Sequence, residues 1–190
     1  MSKNNFNLCN PDNSVLIVVD IQEKLCQTMP DKVIKRLVKN STNLLTASNI
    51  LEIPVIVTEQ YPNGLGSTHK EIIEAIPENS NKFEKTQFSC CEADGFLGHL
   101  NSLNKHQIIL IGMETHICIL QTAIQLRSMD VEVFVVADAV SSRARDNYEI
   151  SLKRLEQAGV VITNTESVLF EWLKDSNNNN FRSISSLISQ

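Results

Sequence analysis

Ile108-Ile109-Leu110-Ile111-Gly112-Met113-Glu114-Thr115-His116-Ile117-Cys118 is the stretch on which the reading of this chain turns. Four apolar residues in a row describe a strand covered on both faces. Gly112 then allows a sharp turn. Beyond Cys118, Ile119-Leu120-Gln121-Thr122-Ala123-Ile124-Gln125-Leu126 has the character of a helix. The thiol of Cys118 is therefore expected in the first turn of a helix that follows a core strand. In that place the helix dipole favours the thiolate, and a lowered pKa is expected.

The pattern repeats on either side. Ser14 to Val19 reads as a buried strand ending at Asp20, and Val33, Ile34, Leu37, Val38, Leu44, Leu45 and Ala47 recur at helical spacing between Pro30 and Leu51. Ile53 to Thr58 is a strand, His69 to Ala75 a short helix, and Asn81 to Phe88 a short strand running into a loop. Helix is expected over Ala93–Leu103, strand over Val131–Ala137, helix over Asp146–Gln157, strand over Val160–Thr163 and helix over Glu166–Leu173. Strands separated by helices imply βαβ units and a parallel sheet. The expectation is a three-layer α/β/α sandwich of five or six strands, in one domain over residues 1–190 with its core at 14–173. Asn177-Asn178-Asn179-Asn180 breaks the pattern. The segment 177–190 is expected as a frayed tail or as an arm packed on a neighbouring copy.

Composition narrows the classes of function. A formal charge of −5 argues against a basic nucleic-acid face. No apolar stretch reaches the ~20 residues of a membrane helix, and Met1 to Asn7 lacks the apolar core of a signal peptide. A cytoplasmic protein is expected, with a small-molecule substrate and no nucleic-acid or membrane partner. The five cysteines, Cys9, Cys26, Cys90, Cys91 and Cys118, are odd in number and contain no CxxC pair. That disfavours a disulfide framework or a zinc ribbon.

In parallel sheets of this kind, ligands bind beyond the carboxyl ends of the strands. Asp20, Lys85 and Cys118 are all expected on that rim. An unperturbed thiol has a pKa of about 8.5, so a nucleophilic cysteine needs a base or a cationic neighbour. Asp20 can take the thiol proton, and Lys85 can hold both anions. The plainer readings are a turn cap for Asp20 and a solvated surface residue for Lys85.

Five segments give these residues a context. They are Val18-Val19-Asp20-Ile21-Gln22-Glu23-Lys24-Leu25, Thr58-Glu59-Gln60-Tyr61-Pro62-Asn63-Gly64-Leu65-Gly66, Lys85-Thr86-Gln87-Phe88-Ser89, Gly112 to Cys118, and Val136-Ala137-Asp138-Ala139-Val140-Ser141-Ser142-Arg143. In this order they resemble the isochorismatase-like cysteine hydrolase superfamily, in particular the isochorismatase domain-containing proteins. The resemblance implies a Rossmann-like fold, a catalytic triad of Asp20, Lys85 and Cys118, and a homo-oligomer. It also implies a cis peptide between Met113 and Glu114, which would set the N–H groups of Glu114 and Cys118 side by side as an oxyanion hole. Losing one such donor typically costs about 10²–10³ in rate.

Departures from the family pattern restrict the chemistry. Nicotinamidases of the superfamily carry Asp-x-His after the second strand; here Thr58-Glu59-Gln60-Tyr61-Pro62 stands there. His69, His99, His106 and His116 form no ligand pair. Neither a metal nor another cofactor is expected. True isochorismatases lack the cysteine nucleophile, so Cys118 favours an acyl centre such as an amide. The substrate pocket is expected to draw on Gln60, Tyr61, Phe88 and His116, each with a structural alternative. Ser141-Ser142-Arg143 is expected to close the rim or an oligomer contact, Asp138 to cap a turn, and His69 to lie on the surface. The leading expectation is a metal-independent cysteine hydrolase that cleaves a small amide-type C–N bond through a thioester. The alternatives are a catalytically silent binding or scaffold protein and a redox-responsive thiol protein.

Overall fold

A computed structural model describes residues 8–129 and 131–188. In chain order the elements are β1 (Ser14–Val19), α1 (Glu23–Cys26), α2 (Asp31–Ile50), β2 (Val55–Gln60), α3 (Pro62–Leu65), α4 (Lys70–Ala75), β3 (Asn81–Lys85) and α5 (Phe96–Ser102). They continue with β4 (Gln107–Met113), α6 (Leu120–Arg127), β5 (Glu132–Ser141), α7 (Arg145–Gln157), β6 (Val161–Thr163), α8 (Thr165–Leu173) and α9 (Phe181–Ile188). A 3-10 turn covers Cys90–Glu92, and a π-helical turn, Thr115–Ile119, leads into α6.

The six strands form one parallel sheet in the order β3-β2-β1-β4-β5-β6. Progress along the chain moves outward from β1 to β3, then returns to the other side of β1 at β4. This reversal creates a switch point between β1 and β4, where the loops leaving the two strands part and open a crevice. Side chains alternate along each strand, so each face builds its own core. Leu16 and Val18 of β1 join Ile109 and Ile111 of β4 under α2, α8 and α9, with Trp172 buried there. Val15, Ile17 and Val19 join Ile108 and Leu110 under α5, α6 and α7. The three-layer architecture is the one the apolar runs imply.

Several boundaries differ from the sequence expectation. β5 runs to Ser141 rather than Ala137, because it bulges: Leu110 faces Val135, yet Gly112 faces Val140. Strict alternation in the sequence gives no sign of that extra backbone. α5 begins at Phe96 rather than Ala93, since Gly95 at φ 74° and the preceding 3-10 turn delay the helix. The 181–188 segment is helical rather than frayed. It forms α9, whose Ile184 is buried and whose Phe181, Leu187 and Ile188 pack on the same core. Their spacing puts all four on one helix face. Met1 to Asn7, which bear on the signal-peptide expectation, lie outside the described residues. No described helix is long and apolar enough to cross a membrane.

Candidate active site

The rim of the sheet is built from strand ends. Gly112 pairs with Val19 across the switch point. A Cβ on Gly112 would stand 2.0 Å from the Val19 carbonyl oxygen, and its φ is 120°. Only glycine allows this approach, and it brings the end of β4 against the residue preceding Asp20. Alternation along β1 would send Asp20 to the α2 face, with Leu16 and Val18. Instead Asp20 adopts φ 51° and donates its N–H to the Thr58 carbonyl at 3.1 Å. Aspartate tolerates the left-handed region better than most residues. Its side chain turns toward the other face, where Thr58 and Cys118 stand.

There the Asp20 carboxylate is fully buried. Oδ2 accepts from Lys85 Nζ at 2.6 Å, and Oδ1 accepts from Thr58 Oγ1 at 2.7 Å. Lys85 ends the edge strand β3 and buries its side chain completely. Its ammonium also donates to Gln60 Oε1 at 2.7 Å, Phe88 O at 3.2 Å and Gln87 O at 3.3 Å. Burial by itself would lower the Lys85 pKa. The Asp20 charge, followed by the Cys90 and Cys118 thiols, outweighs burial and holds it above the usual lysine value. A buried ion pair with every charge hydrogen-bonded is stable, but losing one partner is costly.

Cys118 lies within the π-helical turn rather than the first turn of an α-helix, and it is 6% exposed. The Glu114 carbonyl accepts from Ile117 at 3.0 Å and from Ile119 at 3.3 Å. The Cys118 N–H, between them in sequence, does not bond to that carbonyl. The expected lowering of the Cys118 pKa is not found. Burial, then the Asp20 charge, pushes the thiol up; Lys85 opposes them and a hydrogen bond with Asp20 adds to the rise. Desolvation outweighs the helix dipole because the sulfur sits beneath the rim. The Met113–Glu114 peptide is cis. The Glu114 N–H finds no acceptor among the described residues.

The four residues expected to form the pocket behave differently from one another. Gln60 binds inward: Nε2 donates to Thr86 O at 2.7 Å while Oε1 accepts from Lys85. His116 is half-buried, with Nδ1 3.0 Å from Ser142 Oγ and 4.0 Å from Glu114 Oε2. Tyr61 and Phe88 are 54% and 53% exposed, so neither forms a closed wall in the single chain. Both are nonetheless tied to Lys85: the Tyr61 N–H donates to its carbonyl at 2.8 Å, and the Phe88 carbonyl accepts from its ammonium. The buried Glu114 carboxylate accepts from the Arg143 N–H at 2.9 Å, which fastens the Ser141–Arg143 segment to the rim. Asp138 caps the start of α8, accepting from Thr165 N and Oγ1 at 2.8 and 2.9 Å. His69 is not a plain surface residue; its Nδ1 is buried without a partner. It borders a groove of about 850 Å³ between α1, α2, α4 and α9, which includes none of Asp20, Lys85 or Cys118. The groove's charged residues, among them Glu23, Lys35 and Glu71, are exposed, whereas chemistry needs convergent groups.

Three residues of the network are absent from the sequence expectation as site residues. Thr58 bridges Asp20 and Cys90, its Oγ1 lying 3.6 Å from Cys90 Sγ. Cys90 is fully buried, and burial, then the Asp20 charge, raises its pKa to about 12. Gln22 is also fully buried and clamps the 60–66 loop, accepting from Gln60 N at 2.7 Å and donating to Gly66 O at 2.7 Å and Gln60 O at 3.0 Å. Gln22 stands two residues after Asp20 and Thr58 ends a strand-like run, so position alone offered a clue.

Comparison with known proteins agrees with this fold. Residues 14–167 match the model of the isochorismatase domain. Isochorismatase domain-containing protein 2 of Danio rerio is 40% identical, covering 92% of this chain and 86% of that protein. A solved Caenorhabditis elegans structure described as MAR1 ribonuclease is 37% identical with a TM-score of 0.90, covering 96% of this chain and 93% of that one. The ycaC gene product of Escherichia coli, described as an octameric hydrolase of unknown specificity, shares the fold at TM-score 0.91 and 20% identity, over 98% and 92% of the two chains. The domain match spans β1 to the start of α8 and so takes in every strand of the sheet and the whole charged rim: this chain belongs to the isochorismatase family.

Proposed function

We propose that the protein is a metal-independent cysteine hydrolase of a small amide-type C–N bond. One observation carries the reading: a buried lysine, a buried carboxylate and a buried thiol converge at the carboxyl end of the sheet, with Lys85 2.6 Å from Asp20 and the charges of both acting on Cys118. Buried ionisable groups clustered in this way are a recognised mark of functional sites. Because Cys118 is held as a thiol at rest, Asp20 removes its proton as the sulfur attacks, and not beforehand. The Glu114 and Cys118 N–H groups receive the carbonyl oxygen of the tetrahedral intermediate. Protonated Asp20 gives its proton to the departing amine, since an amine leaves slowly without one. Water, activated by Asp20, then cleaves the thioester and frees the acid. Lys85 balances the negative charge on Asp20 and on the sulfur throughout.

Gln60, Tyr61, Phe88 and His116 border the substrate in this reading. The exposed rings of Tyr61 and Phe88 suit a mouth covered by a second copy, and the bacterial neighbour is described as octameric. A homo-oligomer is therefore the proposed working form. The ribonuclease activity named for the nematode relative belongs to that protein. Here the net charge of −5 and a rim with one buried lysine favour a small substrate over a polyanion.

The test is ammonia or amine release from a panel of small primary and secondary amides, with RNA as a further substrate. Wild type is expected to turn over at least one amide. Cys118→Ala is expected to lose that activity by on the order of 10⁴-fold or more while melting as wild type does. Amide turnover that survives in Cys118→Ala would contradict the mechanism, and RNA cleavage that depends on Cys118 would contradict the substrate class.

A further inference from the structure

Thr58 and Cys90 take no part in the steps above, yet they are wired to the base. The Thr58 hydroxyl has one hydrogen, and the Asp20 carboxylate, 2.7 Å away, can only accept. That hydrogen is therefore committed to Asp20. The Cys90 sulfur, 3.6 Å from Thr58 Oγ1, must then be the donor to Thr58. Cys90 can fill that role because burial keeps it a thiol at neutral pH. Its position is fixed from behind, where its own N–H donates to Thr122 Oγ1 at 2.9 Å. The result is a one-way chain, Cys90 S–H to Thr58 O–H to Asp20 Oδ1. It approaches the carboxylate opposite Lys85, which holds Oδ2.

We infer that Thr58, oriented by Cys90, is a positioning residue that sets the proton affinity of Asp20. The inference rests on the hydrolase reading and deepens it. A hydrogen bond donated to a carboxylate favours its ionised form. With Lys85 alone on Oδ2, the base would keep its proton to higher pH, and the acid limb of reactivity would move up with it. A donor whose own hydrogen bond comes from a second donor is polarised and bonds more strongly. The ionisable groups facing Asp20 among the described residues are Lys85 from β3, Cys90 from the 3-10 turn and Cys118 from the π-helical turn. Thr58 contributes from β2, so it can be altered without changing any charge at the site.

The experiment needs no knowledge of the substrate. Iodoacetamide labelling of the full chain is followed by peptide mass mapping from pH 4.5 to 9, so that the Cys118 and Cys90 peptides are read separately. In wild type the Cys118 rate should rise with pH through an acid limb. Thr58→Val should move that limb upward by about one pH unit or more, the size expected for a hydrogen bond to a charged group. Thr58→Ser, which restores the hydroxyl, should return it. Cys90→Ala should give a smaller shift in the same direction, and Cys90→Ser none. Unchanged melting temperatures for Thr58→Ser and Cys90→Ser keep the comparison valid if Thr58→Val folds poorly. A limb that stays in place in Thr58→Val or Cys90→Ala, with the rate reduced equally at every pH, would overturn the inference and leave the hydrolase reading standing. A Cys118 that is inert across the range in wild type would overturn both.

Discussion

Each end of the sheet buries a thiol against a carboxylate, and the two ends are not equivalent. At the amino end, Cys9 is buried and its N–H donates to Glu171 Oε2 at 2.7 Å. Burial first, then the Glu171 charge and its hydrogen bond, and lastly Glu132, raise the Cys9 pKa. At the carboxyl end, Cys118 feels burial and Asp20 in the same sense, but Lys85 acts against them. The difference lies in one ammonium. Beside Glu171 and Glu132, a departing proton would add a further negative charge, and both carboxylates resist its loss. Beside Asp20, Lys85 stabilises whichever partner carries the charge. In the proposed mechanism a thiol beside a carboxylate does not make a nucleophile; the buried cation does.

The largest effect should come from removing that cation. Lys85→Met leaves the Asp20 carboxylate buried without its partner, and a cost of about 3–5 kcal/mol is expected. Denaturant unfolding would show it as a lowered midpoint, and Cys118 labelling should fall to the level of Cys9. The double variant Asp20→Asn with Lys85→Met sharpens the comparison. It should recover much of the stability, since no lone charge remains, while Cys118 stays unreactive. Stability and reactivity recovering together would mean that Lys85 serves only packing.

A smaller effect belongs to the amino end. A thiol is protonated in both folded and unfolded chains well below its ordinary pKa of about 8.5, so it adds no pH dependence there. As pH rises through 9, the unfolded chain ionises first, because the folded pKa of Cys9 is raised. Stability then falls by up to about 1.4 kcal/mol per pH unit for each such thiol. Cys9→Ala should flatten the decline of melting temperature between pH 8.5 and 10 and leave amide turnover unchanged. A steeper decline, or lost turnover, would break the contrast between the two ends.

The sequence carried the sheet because its evidence is periodic. Runs such as Ile108 to Ile111 and Val15 to Val19 can be read locally, and the rim follows from the positions where strands end. What escaped is whatever depends on three-dimensional approach. The bulge in β5, the positive φ of Asp20 and the π-helical turn around Cys118 arise from packing at the switch point. The rise in the Cys118 pKa escaped for the same reason: a helix start is visible in a sequence, whereas depth of burial is not. Thr58 looked like one more strand residue, and Cys90 like one of five similar thiols. Only the 2.7 and 3.6 Å contacts give them a role. The 181–188 helix was hidden behind a low-complexity break, although its apolar residues share one face.

The central claim, that Cys118 becomes acylated because Asp20 and Lys85 stand beside it, is tested most directly by trapping the acyl group. The chain would be mixed with an activated small ester, quenched in acid within seconds and mapped by peptide mass spectrometry. The account predicts one acyl addition, on the Cys118 peptide, absent from Lys85→Met and discharged by hydroxylamine as a thioester would be. An acyl group on any other residue, or an unmodified Cys118 under conditions of measurable turnover, would contradict it.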